Sequence, residues 1–429
     1  MTTDNRRKQF NRDMLELFSQ RHGVILSWLK QHECSQELPF YSSVDVRDAG
    51  FKIAVVDTNI FPAGFNNLCP HGLDDAALLF RLAIRRRVPG AKRLLLIAEE
   101  HTRNTWYLEN VRILQDIIQR AGFEATVATF LRVQPEFCER TNFVEVATAA
   151  DKPLRVYCLK NLLEEYRAGK REFDLVILNN DLIEGIPDIL KQSPVPVYPS
   201  LQAGWHSRLK SLHFNHMNDL LKDFSSLLDI DPWIFSTAFR AVEDIDVGNE
   251  DHRVRLQDTA SELLQEIRGQ YRRHDIEEQP YLVVKADAGT YGMGVLAIED
   301  PSELTALNRK GRNKLSSGKG SVPITRYLLQ EGVPTIHEVD EKVSEVCMYQ
   351  VENHLIGGFF RSHSTKGSRD NLNARGMLFK KICPHREEFK EMEAHNGTHE
   401  PEMFDVYRIL ARVAAIAAHR EIRQLEEAL

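Results

Sequence analysis

The sequence has few of the features that would directly identify a metal-binding, disulfide-rich, membrane or secreted protein. None of its six cysteines forms a C-x-x-C pair with another, so neither a zinc site nor a disulfide framework is expected. Long apolar runs are missing, and the first ten residues are polar and charged, which argues against a membrane span or a signal peptide. We therefore expect a cytoplasmic protein whose cysteines are reduced thiols.

An excess of positive charge is missing as well. The formal net charge is −7, so the broad basic surface that binds nucleic acid is not expected. Apolar residues make up 42% of the chain and charged residues 27%, as in ordinary soluble proteins. With 429 residues, the chain is long enough for two or three domains.

Between residues 51 and 200, short apolar runs alternate with amphipathic segments. We predict strands at residues 52–57, 93–98, 124–130, 174–179 and 195–198, and helices at 74–87 and 106–121. Strands that alternate with helices form a parallel sheet covered on both faces, as in Rossmann-like folds. Ligands of such folds bind at the carboxyl ends of the strands.

Polar loops follow the first two predicted strands, where that rule puts a ligand. The loops span residues 57–70 and 99–106. They contain side chains that hold small polar molecules: Asn59, Asn66, Asn67, Arg103 and Asn104. The same residue types also serve in ordinary turns and helix caps, which is the alternative interpretation. As a group, the loops predict a site for a small polar substrate.

The most informative stretch runs from Tyr281 to Ile298, where two short β-branched runs enclose a glycine-rich loop. Glycine lets backbone N–H groups point together at an anion, and Lys285 adds an ammonium at the end of the first run. We predict a flexible flap over the phosphates of a nucleotide. A plain glycine-rich hairpin with an exposed lysine is the alternative. The residues singled out in the flap are Asp287, Gly289, Thr290, Tyr291, Gly292 and Gly294.

The flap is neither of the two common phosphate-binding motifs. It lacks the Gly-Lys-Ser/Thr ending of a P-loop. A strand rather than a helix is predicted to follow it, which argues against a dinucleotide fingerprint.

The remaining elements are predicted from apolar periodicity. One or two helices within residues 10–30 are expected to pack on the domain that follows, and residues 240–255 and 310–320 are expected to be irregular. Further predictions are helices at 214–228, 261–271 and 404–429, a strand at 326–330, and a hairpin of strands 345–351 and 355–361.

Several short motifs occur in the order expected of the ATP-grasp ligases, and the chain resembles that family. Over residues 50–385 the motifs resemble those of the bacterial glutathione synthetases. The whole chain more closely resembles the proteobacterial ATP-grasp type of glutamate–cysteine ligase, and residues 57–67 are the most distinctive marker of that resemblance. The motifs are Lys210, Lys285 with its glycine loop, Gln330–Val333, Gly357–Arg361 and Asn371–Gly376.

The resemblance implies an α/β protein in which a Rossmann-like parallel-sheet domain, called the pre-ATP-grasp domain, precedes an α+β ATP-grasp domain of two subdomains. The implied division is N-terminal helices at 1–48, the pre-ATP-grasp substrate domain at 49–205, and the ATP-grasp domain at 206–429. A hinge is expected near residues 329–335.

The resemblance also implies roles for single residues. Lys210, Lys285 and the flap would hold the phosphates of ATP, and Arg361 would stabilise the charge that develops on the reacting group. The residues implied for the rest of the nucleotide are Gln330, Glu331, Val333 and Glu338. Those implied for catalysis beside Arg361 and Lys285 are Asn371 and Arg375. The polar-loop residues Asn59, Asn66, Asn67, Arg103 and Asn104 would bind L-glutamate and L-cysteine.

Magnesium is implied too, but the chain departs from the family at the metal site. Most ATP-grasp enzymes hold Mg²⁺ between an acidic residue on a late strand and a Glu-x-Asn strand, whereas this chain is predicted to end in a helix. Because Mg²⁺ prefers oxygen ligands, Asn371, Asn373 and Glu345 are the predicted ligands. For Glu345, a contact with ribose or a solvated strand position is the alternative.

The implied reaction joins the γ-carboxylate of glutamate to the amine of cysteine. ATP would convert the unreactive carboxylate into an acyl phosphate, and attack by the amine would give γ-glutamylcysteine, ADP and phosphate. A glutathione synthetase or another ATP-grasp amino-acid ligase is the alternative within the family. A nucleotide-binding regulator without catalysis is the alternative outside it, and the sequence leaves a homo-oligomer open.

Overall fold

A computed structural model gives the fold of most of the chain. Four of the predicted site residues, Arg103, Thr290, Tyr291 and Gly292, lie outside the part that it describes. None of the described helices is long and apolar enough to span a membrane. The described residues are 3–33, 37–100, 104–130, 142–289, 294–316, 323–383 and 402–428.

Helices and strands both occur along the whole described chain. The helices are α1 (Thr3–Glu33), α2 (Pro70–Arg87), α3 (Thr105–Arg120), α4 (Leu159–Arg167), α5 (Asp188–Lys191), α6 (Lys210–Leu228), α7 (Glu250–Arg273), α8 (Arg309–Ser316) and α9 (Met403–Glu427). The strands are β1 (Ser42–Asp48), β2 (Ile53–Asn59), β3 (Arg93–Ala98), β4 (Glu124–Thr129), β5 (Phe143–Ala147), β6 (Pro153–Cys158), β7 (Leu175–Asn179), β8 (Val197–Tyr198), β9 (Phe239–Val242), β10 (Leu282–Ala286), β11 (Leu296–Ile298), β12 (Tyr327–Glu331), β13 (Glu338–Val339), β14 (Lys342–Val351), β15 (His354–Ser362) and β16 (Leu378–Ile382).

A largely parallel sheet has the strand order β5-β6-β4-β3-β7-β8, with only the β5–β6 pair antiparallel. Strand β3 is buried on both faces, because Leu94 and Leu96 pack towards α2 and α3 while Leu95 and Ile97 pack towards α4. This burial explains why its sequence is continuously apolar. The parallel sheet predicted from the alternation of strands and helices is confirmed.

The strand predicted at residues 52–57 lies in a different sheet from the one expected. Strand β2 pairs with β1, and β1 pairs with β14 of the β14–β15 hairpin, all antiparallel, in the order β16-β15-β14-β1-β2. Its assignment to the parallel sheet is therefore wrong. A short apolar run has the same pattern in either kind of sheet, so the sequence could not distinguish the two.

Strand β1 escaped prediction because half of it is polar. Val44 and Val46 point to one face, whereas Ser43, Asp45 and Arg47 point to the other. The valine face joins the core formed with helices α1, α6 and α9. The opposite, polar face is left to line a site.

Helix α9, at the C-terminal end of the described chain, packs across this antiparallel sheet and against α1 and α6. The predicted final helix is thereby confirmed. Helix α1 was expected to pack on the domain that follows it in sequence. Its main helix contacts are with α9 and α6, in a core that also contains residues of β1 and β2. The two ends of the chain therefore share one core.

A third sheet has the antiparallel order β11-β10-β12-β9 and is covered by α7. Two segments expected to be irregular are regular here. Residues 240–255 include the end of β9 and the start of α7, and residues 310–316 belong to α8. The glycine and the charged residues of α8 masked its helical character in the sequence.

One cysteine also differs from expectation. Cys158 is disulfide-bonded, whereas Cys69, Cys347 and Cys383 are free thiols. The expectation that all cysteines are reduced is therefore wrong at Cys158, because sequence spacing does not reveal which side chains meet in the fold. The domain division at residues 48/49 and 205/206, with a hinge near 329–335, stays a prediction.

A buried ion pair fastens α9 to the start of α6. The guanidinium of Arg208 donates two hydrogen bonds to the carboxylate of Glu421, with Nε–Oε1 at 2.9 Å and Nη2–Oε2 at 2.8 Å. The side chains are 1% and 0% exposed. His213 Nδ1 lies 3.3 Å from the same carboxylate. Such charges are stable in a protein interior only while each has its partner.

We predict that Glu421→Gln strongly destabilises the fold, because it leaves the buried guanidinium of Arg208 without a counter-charge. The free energy of unfolding in urea should fall by about 3–5 kcal/mol. Glu427→Gln is the matched control, since Glu427 lies on the same helix but its side chain is 66% exposed. That control should change stability by no more than about 0.5 kcal/mol. Equal effects of the two variants would contradict the prediction.

Candidate active site

The polar face of the antiparallel sheet carries a ladder of charged side chains. Asp45 of β1 lies directly opposite Asp57 of β2, and Glu345 of β14 lies opposite Arg361 of β15. Arg47 projects from the same face as Asp45, because residues two apart in a strand share a face. Strands from distant parts of the sequence thus bring acids and bases together.

Ion pairs link the members of this ladder. Arg361 Nη2 lies 2.5 Å from Asp45 Oδ2, and Arg361 Nε lies 2.8 Å from Glu345 Oε1. Arg47 Nε binds the other oxygen of Glu345 at 2.8 Å. Burial acts to raise the pKa of Glu345, but Arg47 and Arg361 outweigh it, so the pKa lies below its usual value. Glu345 is therefore a carboxylate held by two arginines.

Arg47 also fixes two backbone segments around the ladder. Its guanidinium donates to the carbonyl oxygens of Val333 and Ser368, both at 3.2 Å, and to that of Asp370 at 2.7 Å. The first carbonyl follows β12, and the other two belong to the segment of residues 363–377 that joins β15 to β16. Arg47 thereby holds both segments at the edge of one pocket.

Two lysines approach the ladder from the other side. Lys285 of β10 donates from Nζ to the carbonyl oxygen of Val56 at 2.9 Å, and Lys210 Nζ lies 2.5 Å from Asp57 Oδ1. Burial is the main cause that lowers the pKa of Lys285 to about 8, with Asp57 acting against it and Lys210 adding to it. Burial acts to raise the pKa of Asp57, but Lys210 and Lys285 hold it well below its usual range.

Asp287 connects the two lysines through the protein. Its backbone carbonyl accepts from Lys210 N–H at 2.7 Å. Its carboxylate accepts from Ser211 N–H at 2.7 Å, from Ser211 Oγ–H at 2.6 Å and from Arg326 Nε at 2.6 Å. Asp287 is fully buried. This network holds the start of α6, with Lys210, beside the glycine loop that follows Lys285.

A pocket lies between the polar face of the antiparallel sheet and strands β10 to β12. The predicted residues that line it are Lys285, Gln330, Glu331, Val333, Glu345, Arg361, Asn371 and Asn373. Residues that line it but were not predicted as site residues are Asp45, Arg47, Val56, Asp57, Tyr281, Val283, Val295, Ala297, Arg369 and Asp370.

Side chains at the end of β12 are engaged within the protein. Glu331 Oε2 accepts from Lys52 Nζ at 2.8 Å and from Ala238 N–H at 3.0 Å, and its Oε1 accepts from Trp233 Nε1 at 3.0 Å. Gln330 Nε2 donates to Thr237 Oγ1 at 2.8 Å. The carboxylate and amide at this strand end therefore support the backbone at the pocket wall.

Other predicted residues lie away from the pocket lining. Glu338 and Arg375 are exposed, and Asn66 and Asn67 belong to a short 3-10 helix at Phe65–Asn67. Asn104 caps α3 by accepting from Tyr107 N–H at 3.1 Å, so the alternative interpretation as a helix cap applies to it.

Asn59 and two glycines of the flap have roles in the local backbone conformation. Asn59 Oδ1 accepts from Phe61 N–H at 2.9 Å, in the turn that follows β2. Gly289 and Gly294 have φ angles of 108° and 66°, which side chains disfavour, so glycine is needed at both ends of the flap. Within the described part of the chain, no group of three His, Cys, Asp or Glu side chains is arranged to hold a metal ion.

Comparison with known families identifies the chain. The family model of GshA, glutamate-cysteine ligase, matches residues 16–422. The chain belongs to the glutamate-cysteine ligase family. The ligase is thus an ATP-dependent enzyme that forms a carbon–nitrogen bond and makes γ-glutamylcysteine, a compound of glutathione biosynthesis.

Solved structures agree with this family. A protein from Methylobacillus flagellatus KT, provisionally assigned as a gamma-glutamylcysteine synthetase, is 34% identical to this ligase, with 96% of each chain covered and a TM-score of 0.81. No curated protein matches the chain.

Two other solved structures are far less similar. They are a D-alanyl-alanine synthetase A from Vibrio cholerae O1 biovar eltor and GSS30, a glutathione synthetase-like effector from Globodera pallida. Their identities are 12% and 9%, and their TM-scores are 0.32 and 0.35. The first match covers 75% of this chain and 81% of the other, and the second covers 90% and 85%. Both TM-scores are too low to relate the folds.

Among the pocket residues of this ligase that sequence reasoning missed are the two acids Asp45 and Asp57. A signal for them was present: Asp57-Thr-Asn59 is an acid-x-Asn strand ending, the pattern sought near the C-terminal end. Because this strand ending was assigned to the parallel sheet, its antiparallel neighbour Asp45 was not recognised as a site residue.

Proposed function

We propose that the ligase binds ATP in the pocket between the antiparallel sheet and strands β10 to β12, and transfers its terminal phosphoryl group to the γ-carboxylate of glutamate. Attack of the cysteine amine on the acyl phosphate then forms the new bond, as phosphate leaves. The observation that carries the proposal is that Lys285 and Arg361 line one pocket, while Lys210 lies beside it, bonded to the lining residue Asp57. Phosphoryl transfer depends mainly on positioning and on positive charge of this kind.

The phosphates would lie against Lys285 and Lys210. The ammonium of Lys285 is buried, which disfavours its charged form, and an anionic phosphate beside it would restore that form. The backbone of the glycine loop from Gly289 to Gly294 would add N–H donors, with Thr290, Tyr291 and Gly292 in their predicted roles. Asp287 would act indirectly, by holding the two lysines in place.

The base of ATP would lie against the apolar residues of the pocket. Tyr281, Val283, Val295 and Ala297 line the pocket together with Gln330, Glu331 and Val333 of the β12 end. A flat aromatic base fits between apolar side chains, because binding there removes the faces of the base from water. This supports a nucleotide that spans the pocket from the strand end to the charged ladder, as in an ATP-grasp domain.

Arg361 would face the reacting group. It is 8% exposed and is held by Asp45 and Glu345, so its guanidinium is oriented before any ligand binds. A donor fixed in this way stabilises developing negative charge without the cost of reorganisation. Asn371 lines the same pocket, and Arg375 follows on the same segment, which keeps both as proposed catalytic residues.

We propose Asp45, Asp57 and Asn59 as the residues that hold Mg²⁺. Asp45 lies on β1, and Asp57 and Asn59 form an acid-x-Asn pattern on the neighbouring strand β2. Burial raises the pKa of Asp45, and the nearby carboxylates of Glu345 and Asp57 raise it further, although Arg361 acts against this. Three carboxylates therefore lie close together at this place. A cation would relieve that repulsion. Mg²⁺ bound there would neutralise phosphate charge, and phosphates and water would complete its shell.

This set revises the earlier metal prediction in part. Glu345 is left out because both of its oxygens are engaged by Arg47 and Arg361. Asn371 and Asn373 line the pocket and stay predicted ligands. The metal strands would then come from the N-terminal part of the chain, which accounts for the missing late Glu-x-Asn strand.

The amino-acid substrates would bind next to the phosphate end of the pocket. Asn59 shares a strand with Asp57, so the loop that follows is near the reacting group and supports Asn66 and Asn67 as substrate residues. Arg103 and Asn104, after β3, stay proposed partners from the parallel sheet. A cytoplasmic location and a homo-oligomeric state stay predictions.

The substrate assignment predicts which amino acids release ADP. With ATP and Mg²⁺, we expect release with glutamate plus cysteine, and almost none with γ-glutamylcysteine plus glycine. Glutamate carrying heavy oxygen in its γ-carboxylate should pass one labelled oxygen to phosphate, because the acyl phosphate breaks at its carbonyl carbon. Release only with the second pair would instead favour a glutathione synthetase. Tight ATP binding without phosphate release in any mixture would favour a regulator.

The pKa of Lys285 predicts how ATP binding depends on pH. Because this pKa is lowered to about 8, the ammonium is present below pH 8 and is lost as pH rises. The Kd for ATP, measured by calorimetry, should therefore increase by up to about tenfold per pH unit above 8. Binding near pH 8 should take up protons, since the phosphates raise the pKa of the lysine.

Lys285→Arg is the matched variant for this experiment, because arginine stays charged throughout the range. Its Kd for ATP should change little with pH. Lys52 is a second buried lysine whose pKa is lowered to about 8, mainly by burial. An unchanged pH dependence in Lys285→Arg would therefore assign the titration to another group such as Lys52.

The metal assignment predicts the Mg²⁺ dependence of two variants. Asp45→Asn and Asp57→Asn should each raise the Mg²⁺ concentration for half-maximal rate by about tenfold or more, because each removes a charged ligand. Asp340→Asn is the control, since Asp340 is exposed at the turn between β13 and β14. Unchanged Mg²⁺ dependence in both site variants, with a lower rate, would reject these residues as ligands.

A further inference from the structure

Two free thiols that the proposed reaction does not use meet between the start of α2 and the end of β16. The sulfur atoms of Cys69 and Cys383 lie 2.9 Å apart, although the residues are separated by 314 positions in the sequence. A disulfide bond has a sulfur–sulfur length of about 2.05 Å, so little movement separates the two thiols from a bond.

The two thiols are held by elements that pack closely together. Cys69 is the N-cap residue of α2, and its sulfur accepts from Gly72 N–H at 3.3 Å. A Cβ atom on Gly72 would lie 2.1 Å from the carbonyl oxygen of Ile356 in β15, so the start of α2 sits directly on the hairpin. Cys383 follows β16, which pairs with β15. The contact between the sulfurs therefore follows from the packing of two rigid elements.

The thiols differ in their access to solvent. Cys69 is 5% exposed, and burial, with the neighbouring thiol of Cys383, raises its pKa to about 11. Cys383 is partly exposed. An oxidant from solution would therefore reach Cys383 first, and Cys69 would be positioned to react second.

We propose that Cys69 and Cys383 form a reversible disulfide by exchange with a low-molecular-weight disulfide, and that this bond slows the ligase. In the first step the Cys383 thiolate attacks the small disulfide, forming a mixed disulfide and releasing one small thiol. In the second step Cys69 gives up its proton and attacks the Cys383 sulfur, releasing the other small thiol. Two electrons pass to the small disulfide, and the two protein protons end on the two released thiols.

The bond would restrain the segment of residues 363–377 at the pocket edge. Arg47 already holds the middle of this segment, through the carbonyls of Ser368 and Asp370. Cys383 lies one residue beyond β16, the strand that follows the segment, so a bond to Cys69 would tie that strand to α2. Pockets of this kind open to release products. Tying the strand that follows the segment to α2 should restrict that opening and slow turnover. This consequence rests on the proposed location of ATP.

The experiment treats the full chain with cystine, the disulfide of the amino-acid substrate, and removes it before measurement. Peptide mapping without reductant should identify a Cys69–Cys383 linkage. Thermal unfolding should occur at a higher temperature in the oxidised protein, since the bond closes a very long loop. The kcat should fall severalfold and recover after dithiothreitol. The assay uses L-2-aminobutyrate, in which a methyl group replaces the thiol of cysteine, so that no thiol reverses the bond.

The matched variants are Cys69→Ser and Cys383→Ser, each of which should lose the cystine response while keeping the reduced activity. Cys34→Ser leaves both sulfurs of the pair in place and should keep the response. Alkylation of both thiols after cystine treatment, or a mapped bond that leaves kcat unchanged, would overturn the proposal. The mapping and the thermal shift need no catalysis, so an absence of ligase activity in the reduced protein would count against the proposed function alone.

Discussion

The buried charge ladder of the antiparallel sheet is the interaction on which the pocket depends. Arg361 bonds to Asp45 and Glu345, and Arg47 bonds to Glu345 and to backbone carbonyls on two segments at the pocket edge. Arg47, Glu345 and Arg361 are buried, Asp45 is half-buried, and each has its partner, so the loss of any one member would leave another uncompensated. The ladder can form only because strands β1, β14 and β15 are neighbours, and this requirement links the chemistry to the fold.

That neighbour relation joins the N-terminal part of the chain to a hairpin some three hundred residues later. Helices α1 and α9 cover the apolar face of the same sheet, so both ends of the described chain stabilise the surface that carries Asp45 and Arg361. The buried Glu421–Arg208 pair then fastens α9 to the start of α6, where Lys210 lies. The position of the lysine is therefore coupled to the packing of the C-terminal helix.

The sequence predicted the elements whose pattern is local, and missed those defined by distant partners. The parallel strands, the β14–β15 hairpin and the final helix have clear periodicity, and Lys285, Arg361 and Asn371 line the pocket together as the motif order suggested. Strand β1 was missed because its alternating polar residues look like a loop until its two partners are known. Since β2 was assigned to the wrong sheet, Asp57 was not recognised as a pocket residue, and the metal ligands were sought elsewhere.

The two lysines and the acids opposite them show how the site would accept charged ligands without leaving a buried side chain unpaired. Lys210 pairs with Asp57, and Arg361 pairs with Asp45. Under the proposed function, a phosphate would take the place of Asp57 beside Lys210, and a metal ion would take the place of Lys210 beside Asp57. Each buried charge would then exchange one opposite charge for another, so binding would not leave any of them uncompensated. In these ion pairs, the carboxylate of Asp57 would take the place of a phosphate, and the ammonium of Lys210 would take the place of a metal ion. This role would explain why acids and bases lie side by side on one sheet face.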